Sequence, residues 1–313
     1  IVCGRLRIFF NHSGDGGGRS ASRRGRPMYR DLRDFIERLK REKKIHVVRA
    51  EVDPRLEITE INDRLVKREG PAVLFEKVKG SSYPVAINLF GSRERMNLAL
   101  GVTDLNEIAK KIAEIVTLKV PEKWTEKIRM LPKLGVLHSM TPRLVKHGRC
   151  QEVIENDPDL ATLPVLQCWP EDAGRYITFS LVVTKDPETG IRNVGTYRMQ
   201  VFDRRSTGMH WQVRKDGTAH FRKAKDLGKK RVEVAVALGA DPVTMFSAVC
   251  PLPFGIDEFV FSGFLRGEPV DLVKCRTVDL EVPAESEFVL EGYVAVDERK
   301  TEGPFGDHTG YYS

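Results

Sequence analysis

Long apolar runs are missing from this chain. Nothing in it approaches the roughly eighteen consecutive apolar residues of a membrane-spanning helix, so a helical integral membrane protein is excluded. Paired cysteines are missing as well: Cys3, Cys150, Cys168, Cys250 and Cys275 are odd in number and scattered, with no Cys-x-x-Cys. That argues against a zinc site or a disulfide framework and for a reducing, cytoplasmic compartment, with peripheral membrane contact left open. No Gly-x-Gly-x-x-Gly follows a strand, and there is no Walker loop and no Gly-x-Ser-x-Gly elbow, so the common nucleotide and hydrolase readings lack support. Internal repeats are absent. Behind Arg5 and Arg7, Ile8-Phe9-Phe10 is too short for a signal-peptide core.

A basic stripe with interleaved aromatics is also lacking. The net charge of +7 suggests nucleic acid until its location is examined: residues 1–27 hold six arginines against one acid, Asp15, and supply +5 of it. The remaining +2 is spread over Lys and Arg that alternate with Glu and Asp, as on solvated helix faces. No nucleic-acid partner is expected of the folded part. A nucleic-acid role for the leader would show as steeply salt-dependent binding that deletion of residues 1–27 abolishes. Those residues read as a disordered basic leader, either upstream sequence ahead of a start at Met28 or a transit peptide.

What is present is the composition of a soluble globular protein, 41% hydrophobic and 30% charged, in 313 residues that suffice for two domains. Leu32, Phe35, Ile36 and Leu39 keep helical spacing. A strand over Ile45–Val52 follows, then a helix opened by Asp53-Pro54 with Ile58, Ile61 and Leu65 on one face. Buried strands are expected over Ala72–Val78 and Pro84–Phe90, and Asp104 with Glu107 caps a further helix. This alternation predicts a small N-terminal α/β domain over residues 28–120. Residues 121–313 form the second domain: 121–175 are richer in proline and less periodic, a linker and domain entry, and the remainder is strand-rich with inserted helices. Ile177–Thr184 and Val194–Phe202 flank the turn Asp186–Gly190, Met209–Val213 and Val232–Leu238 follow, and a helix is expected over Ile256–Leu265 ahead of strands at Val270–Cys275 and Phe288–Val296. The class is α/β (α+β), the second part a barrel or half-barrel.

Three stretches could carry chemistry. Glu302 and Asp307 flank a Gly-Pro-Phe-Gly turn, a rigid way to present acids, although solvated acids on an ordinary turn would read the same. In Asn193–Arg198, period two puts Asn193, Gly195 and Tyr197 on one face and Thr196 and Arg198 on the other, unless a bulge at Gly195 re-aims them. Arg198 could hold a carboxylate by two parallel hydrogen bonds or form a plain surface ion pair. His210-Trp211-Gln212, with Arg214 and Lys215 following, suits a flat heteroaromatic cofactor with a phosphate tail, against a Trp211 that is merely core. His220 could be a metal ligand or a capping residue. Glu258 beside an apolar run needs a cation if buried, and with Asn193 it could form an oxygen-rich metal site; a solvent-facing Glu258 is the bland alternative.

Taken together, Asp53–Ile61, Gly70–Phe75, Asn88–Gly91, Cys168–Asp172, Asn193–Arg198, Ala237–Pro242, Asp279–Pro283, Glu291–Tyr293 and Glu302–Tyr312 resemble the UbiD-like decarboxylases in unbroken order from about Met28 to Ser313, most of all the polyprenyl-hydroxybenzoate carboxy-lyase branch. The resemblance implies non-oxidative, reversible decarboxylation of an aromatic or α,β-unsaturated acid with prenylated FMN, a divalent metal such as manganese, and often K+. It implies a flavin-binding split barrel over residues 121–313, a C-terminal domain missing here, a homo-oligomer when full length, and a flavin prenyltransferase as cofactor supplier. By motif position Arg198, Glu302 and Asp307 would be catalytic: Arg198 orients the substrate carboxylate, Glu302 holds it in place, and Asp307 donates the proton from a dry pocket. Asn193, Glu258 and His220 would ligate the metal, and Thr196, Tyr197, Arg198, His210, Trp211, Gln212, Lys215 and Asp216 would contact the cofactor. The expected substrate is a polyprenyl-hydroxybenzoate-type acid of quinone biosynthesis. Alternatives are a phosphorylated unsaturated acid of archaeal isoprenoid synthesis, or a flavin-binding fragment without turnover.

Overall fold

The computed structural model describes residues 2–10, 29–116, 139–252, 256–307 and 309–312. Its first part is a three-stranded sheet of β2 (Ile45–Val52), β3 (Ala72–Val78) and β4 (Val85–Ile87), with β2 parallel and β4 antiparallel to the central β3. Helices α1 (Leu32–Arg41), α2 (Glu57–Lys67), α3 (Arg93–Leu100) and α4 (Leu105–Val116) accompany it. Asp31 caps α1 by accepting the Asp34 amide at 2.8 Å, and the Phe35/Leu39 stripe is fully buried against Ile45, Ala72 and Leu74. Arg33 grips Glu287 through Nε and Nη2 at 2.7 Å each, tying α1 to the second part.

The second part is built on a nine-stranded sheet. Its strands are β1 (Val2–Phe10), β6 (Val153–Glu155), β7 (Tyr176–Ile177), β8 (Leu181–Lys185), β9 (Arg192–Gly195), β10 (Met199–Val201), β11 (Ser206–Met209), β12 (Arg231–Leu238) and β15 (Phe288–Ala295). The spatial order is β7-β10-β11-β1-β15-β12-β8-β9, with β6 on β1. In that order β9 and β10 lie six strand spacings apart, about 29 Å in a flat sheet, yet only residues 196–198 join them, a reach of about 14 Å. The sheet therefore curls until its two ends meet, and residues 178–180 make the same crossing from β7 to β8. This is the expected split barrel. Leu160, Val182, Met199, Val236 and Leu290 fill its interior.

The expectation of a single strand over Val194–Phe202 is corrected: it is two strands that face different neighbours, β9 on β8 and β10 on β7 and β11. The strand expected at Met209–Val213 falls earlier, at Ser206–Met209. The disordered leader is corrected in part, because Val2–Phe10 forms a strand between β11 and β15. Its Val, Ile and Phe content favours a strand, and insertion there pairs two edges that would otherwise be left open. Residues 11–28 and, of the proline-rich entry, residues 121–138 lie outside the described residues.

Around the barrel stand α5 (Asp216–Asp226), α6 (Pro242–Ser247), α7 (Glu258–Arg266) and a small sheet of β5 (Arg143–Val145), β13 (Asp271–Lys274) and β14 (Glu281–Pro283). Asp241, almost wholly buried, caps α6 by accepting the Val243 and Thr244 amides and takes Arg266 Nη1 from the end of α7 at 2.6 Å. Asp241→Ala removes the cap and leaves Arg266 short of a partner, so a loss of about 3 kcal/mol is expected. A denaturant melt against wild type measures it, and loss of α7 packing would carry Glu258 with it. No helix among the described residues is long and apolar enough to cross a membrane.

Candidate active site

The closure of the barrel makes a seam where residues 196–198 join β9 to β10, with Asn193 inside β9 and Arg198 the residue just ahead of β10. Gly195 allows the sharp exit from β9, since a Cβ there would lie 2.7 Å from the Tyr197 ring. At the seam Arg198 meets Glu302 of the last loop. Arg198 Nε donates to Glu302 Oε1 at 2.8 Å and Nη2 to Oε2 at 3.0 Å, a bidentate fork. The Glu302 side chain is 1% exposed. Burial pushes its pKa up, but hydrogen bonds from His210 and Arg198 more than offset this and hold the carboxyl below the usual range.

The loop bearing Glu302 is fixed at several points. Gly303, in the left-handed region at φ 97°, donates its amide to Gln200 Oε1 at 3.0 Å, and Gly303-Pro304 is cis. Pro304 O accepts the Ala173 amide and the Tyr176 hydroxyl. Phe305 lies between the Tyr176 ring, 4.6 Å away, and the Arg198 guanidinium, 4.7 Å away. Asp172 binds the Cys168 and Trp169 amides through Oδ2 and the Gly306 amide through Oδ1. Sequence reasoning gave Asp172, Tyr176, Gln200 and Phe305 no role; the quoted Cys168–Asp172 and Glu302–Tyr312 stretches were the available signal for Asp172 and Phe305. Gly306 abuts Trp169, whose Cδ1 would be 2.5 Å from an added Cβ. Gly306→Ala is therefore expected to cost about 1–3 kcal/mol by overpacking and to shift the loop. A thermal melt with Trp fluorescence reads both effects.

Asp307 is half-buried, not enclosed in the expected dry pocket. Its Oδ1 accepts the Thr309 amide at 2.8 Å and the Thr309 hydroxyl at 2.5 Å, a local turn that sequence distance two makes cheap.

The expected metal residues Asn193 and Glu258 are both buried. Glu258 opens α7 after the Asp257 cap, and its Oε2 accepts the amide of Val194, the residue next to Asn193, at 2.9 Å. Burial pushes the Glu258 carboxyl up to about 8, with the charges of Asp257 and Asp216 adding to the effect. A buried acid facing other acids calls for a cation. Asn193 Nδ2 lies 3.4 Å from the Tyr197 hydroxyl. His220 sits inside α5, not at its start, and its Nδ1 shares a hydrogen with Thr184 Oγ1 at 2.9 Å; Thr184 is the residue opposite Asn193 across the β8/β9 ladder. Burial holds the imidazole below its ordinary value. Among the described residues no group of three His, Cys, Asp or Glu side chains converges as a metal cage, so a metal here would draw on amide oxygen and on ligands from outside the protein.

Of the residues expected at the cofactor, Thr196 Oγ1 and Trp211 Nε1 are buried without a hydrogen-bond partner among the described residues, which leaves both donors free for a ligand. Tyr197 is buried, its hydroxyl reached by the Gly217 amide at 3.4 Å. Gly217 has no room for a Cβ, which would lie 2.8 Å from Trp211 Nε1. Gln212 and Lys215 are exposed, Asp216 half-buried, and all three lie at the N-terminal end of α5, where Lys215 is the cap residue without a side-chain cap bond. That helix end offers amide donors to an anion. His210 is turned to Glu302, with its Nδ1 3.0 Å from Oε2.

Residues 143–313 match the 3-octaprenyl-4-hydroxybenzoate carboxy-lyase Rift-related domain and residues 36–115 the N-terminal domain of the same family. An uncharacterized protein of Archaeoglobus fulgidus is 49% identical over 285 residues, which are 91% of this chain and 59% of that protein. Among solved structures, the UbiD-class enzyme HmfF from Pelotomaculum thermopropionicum in complex with FMN is 33% identical with a TM-score of 0.76, over 90% of this chain and 59% of that one. Vanillic acid decarboxylase of Sedimentibacter hydroxybenzoicus, in its closed form, is 34% identical with a TM-score of 0.77, over 91% of this chain and 59% of that one. The chain thus spans about three-fifths of the relatives it matches.

Proposed function

The chain belongs to the UbiD-like decarboxylase family, and from that premise we propose that it serves the non-oxidative, reversible decarboxylation of an aromatic or α,β-unsaturated carboxylic acid, of polyprenyl-hydroxybenzoate type in quinone biosynthesis. The observation that carries this reading is the buried Arg198–Glu302 fork at the barrel seam, beside the unpartnered donors of Thr196 and Trp211. The residues at the seam fit a phosphorylated flavin and a divalent metal such as manganese. Asn193 and Glu258 would hold the cation, the α5 N-terminus and Lys215 the phosphate, and Trp211 and Thr196 the rest of the cofactor. Prenylated FMN, when bound, supplies the electron sink for the carbon–carbon cleavage.

The protein supplies position and a proton. Arg198, steadied by Glu302 on one side and Phe305 beneath, presents its charge to the substrate carboxylate. Asp307 protonates the carbon once carbon dioxide has left, which requires its loop to turn the carboxyl away from Thr309. Homo-oligomerisation, K+ and supply of the flavin by a prenyltransferase belong to the same reading of the complete protein.

The test is to co-express the complete protein with a flavin prenyltransferase and assay a panel of aromatic and unsaturated acids for carbon dioxide release. Folded, metal-loaded protein that carries no modified flavin and releases no carbon dioxide from any acid would overturn the proposal.

A further inference from the structure

Glu302 is held by two side chains, and only one of them belongs to the Arg-acid-acid trio. The third donor on its carboxylate is His210 Nδ1, at 3.0 Å from Oε2, the oxygen that already receives Arg198 Nη2. The backbone enforces this convergence. Met199 pairs with Met209 in the β10/β11 ladder, and beyond that rung the His210 amide donates to Arg198 O at 3.1 Å. One rung therefore fixes both donors relative to each other. A carboxylate accepts, so the proton of this contact sits on Nδ1. His210 is also the outermost of the three side chains, 30% exposed against 16% for Arg198 and 1% for Glu302.

The charged and titratable groups facing Glu302 among the described residues are few. Arg198 comes from the start of β10 and His210 from the end of β11. Tyr176 comes from β7; burial first, and then the charge of Glu302, push its phenol up to about 12, so it stays neutral. Asp172 lies beyond Tyr176, engaged with three amides. Among the described residues His210 is thus the one partner besides Arg198 that can steady the carboxylate.

We infer that His210 is a positioning residue: acting through the Glu302 carboxylate, it fixes the angle at which the Arg198 guanidinium meets the substrate. This rests on the decarboxylase reading for its effect on turnover, while the effect on Glu302 itself does not. Without Nδ1, Oε2 keeps a single donor, the fork can pivot, and Glu302 titrates at higher pH.

The experiment compares the complete, flavin-loaded wild type with His210→Phe, which removes the donor, and His210→Asn, which places an amide N–H where Nδ1 stood. His210→Phe is expected to lower kcat/KM, expressed per bound flavin, roughly ten- to a hundredfold, with the acid limb of the pH profile moved upward. His210→Asn is expected to recover most of that loss. In parallel, carboxyl 13C NMR of Glu-labelled protein, with the Glu302 signal assigned from Glu302→Gln, should show its titration midpoint higher in His210→Phe than in wild type. An unmoved midpoint, or a His210→Asn variant as impaired as His210→Phe, would overturn the inference. If the wild type itself releases no carbon dioxide, the decarboxylase reading is what has failed, and the NMR comparison alone decides the role of His210.

Discussion

Arg198→Ala is expected to lose activity by about a thousandfold or more and, unusually for a substrate-binding residue, to destabilise the protein by about 3–5 kcal/mol. Both effects have one cause. The Glu302 side chain is 1% exposed, and its carboxylate is tolerated because Arg198 and His210 donate to it. Remove the guanidinium and the burial penalty prevails.

The pH dependence separates this from a packing defect. In wild type the folded Glu302 titrates below its unfolded value near 4.5, so its contribution to stability is complete above that value and disappears as pH falls through the folded one. Arg198→Ala removes the contribution, so wild type and variant should differ most near neutrality and converge in acid. Urea melts at pH 7.5 and pH 4 test this; a gap that is equal at both would mean the loss is packing around Phe305 alone. Arg198→Lys keeps a charge but not the fork, and should recover part of the stability and little of the activity.

Much of the fold was legible because its signals are local. The Leu32–Arg41 helix, the turn at Asp186–Gly190 and the Glu258–Arg266 helix are set by spacing and capping, which a single sequence displays. The break at Thr196–Arg198 was not, because Val194–Phe202 alternates like one strand and nothing in a period of two announces that its halves lie at opposite ends of a curled sheet. Period two placed Asn193 and Arg198 on opposite faces; the break after Gly195 ends β9 ahead of Arg198, which leads into β10, so a single alternation no longer relates them. The Arg198–Glu302 fork spans 104 residues, so no spacing argument could reach it, and only the resemblance put the two in one trio. The contact of His210 with Glu302 was missed for the same reason. Asp307 was expected in a dry pocket on chemical grounds, yet the Thr309 hydroxyl two residues away offers a nearer partner than any distant pocket wall.

Glu258→Gln should have the second large effect, and it is visible in the absence of any substrate. Among the described residues the Val194 amide, next in sequence to Asn193, is the hydrogen-bond partner of Glu258 Oε2, while Asp257 and Asp216 push against its charge. In metal-free wild type, where burial lifts this carboxyl to about 8, the group's sign is opposite to that of Glu302. Its folded value lies above its unfolded one, so metal-free protein should lose stability, on the order of a few kcal/mol, as pH rises from about 4.5 toward 8. The neutral amide of Glu258→Gln removes that loss, so at pH 8 the metal-free variant should be the more stable of the two. Adding Mn2+ should reverse the order, because a cation compensates a carboxylate and does little for an amide. Metal affinity should fall by at least about a hundredfold in the variant, since a direct ligand matters more than the outer-shell groups whose loss costs ten- to a hundredfold, and flavin retention should fall with it if the cation bridges to the cofactor phosphate. Melting curves with and without Mn2+, paired with metal analysis and flavin absorbance of the purified proteins, check each step. If Mn2+ stabilises wild type and Glu258→Gln equally, Glu258 is a buried acid with no ion to hold, and the cation must be sought elsewhere along the seam.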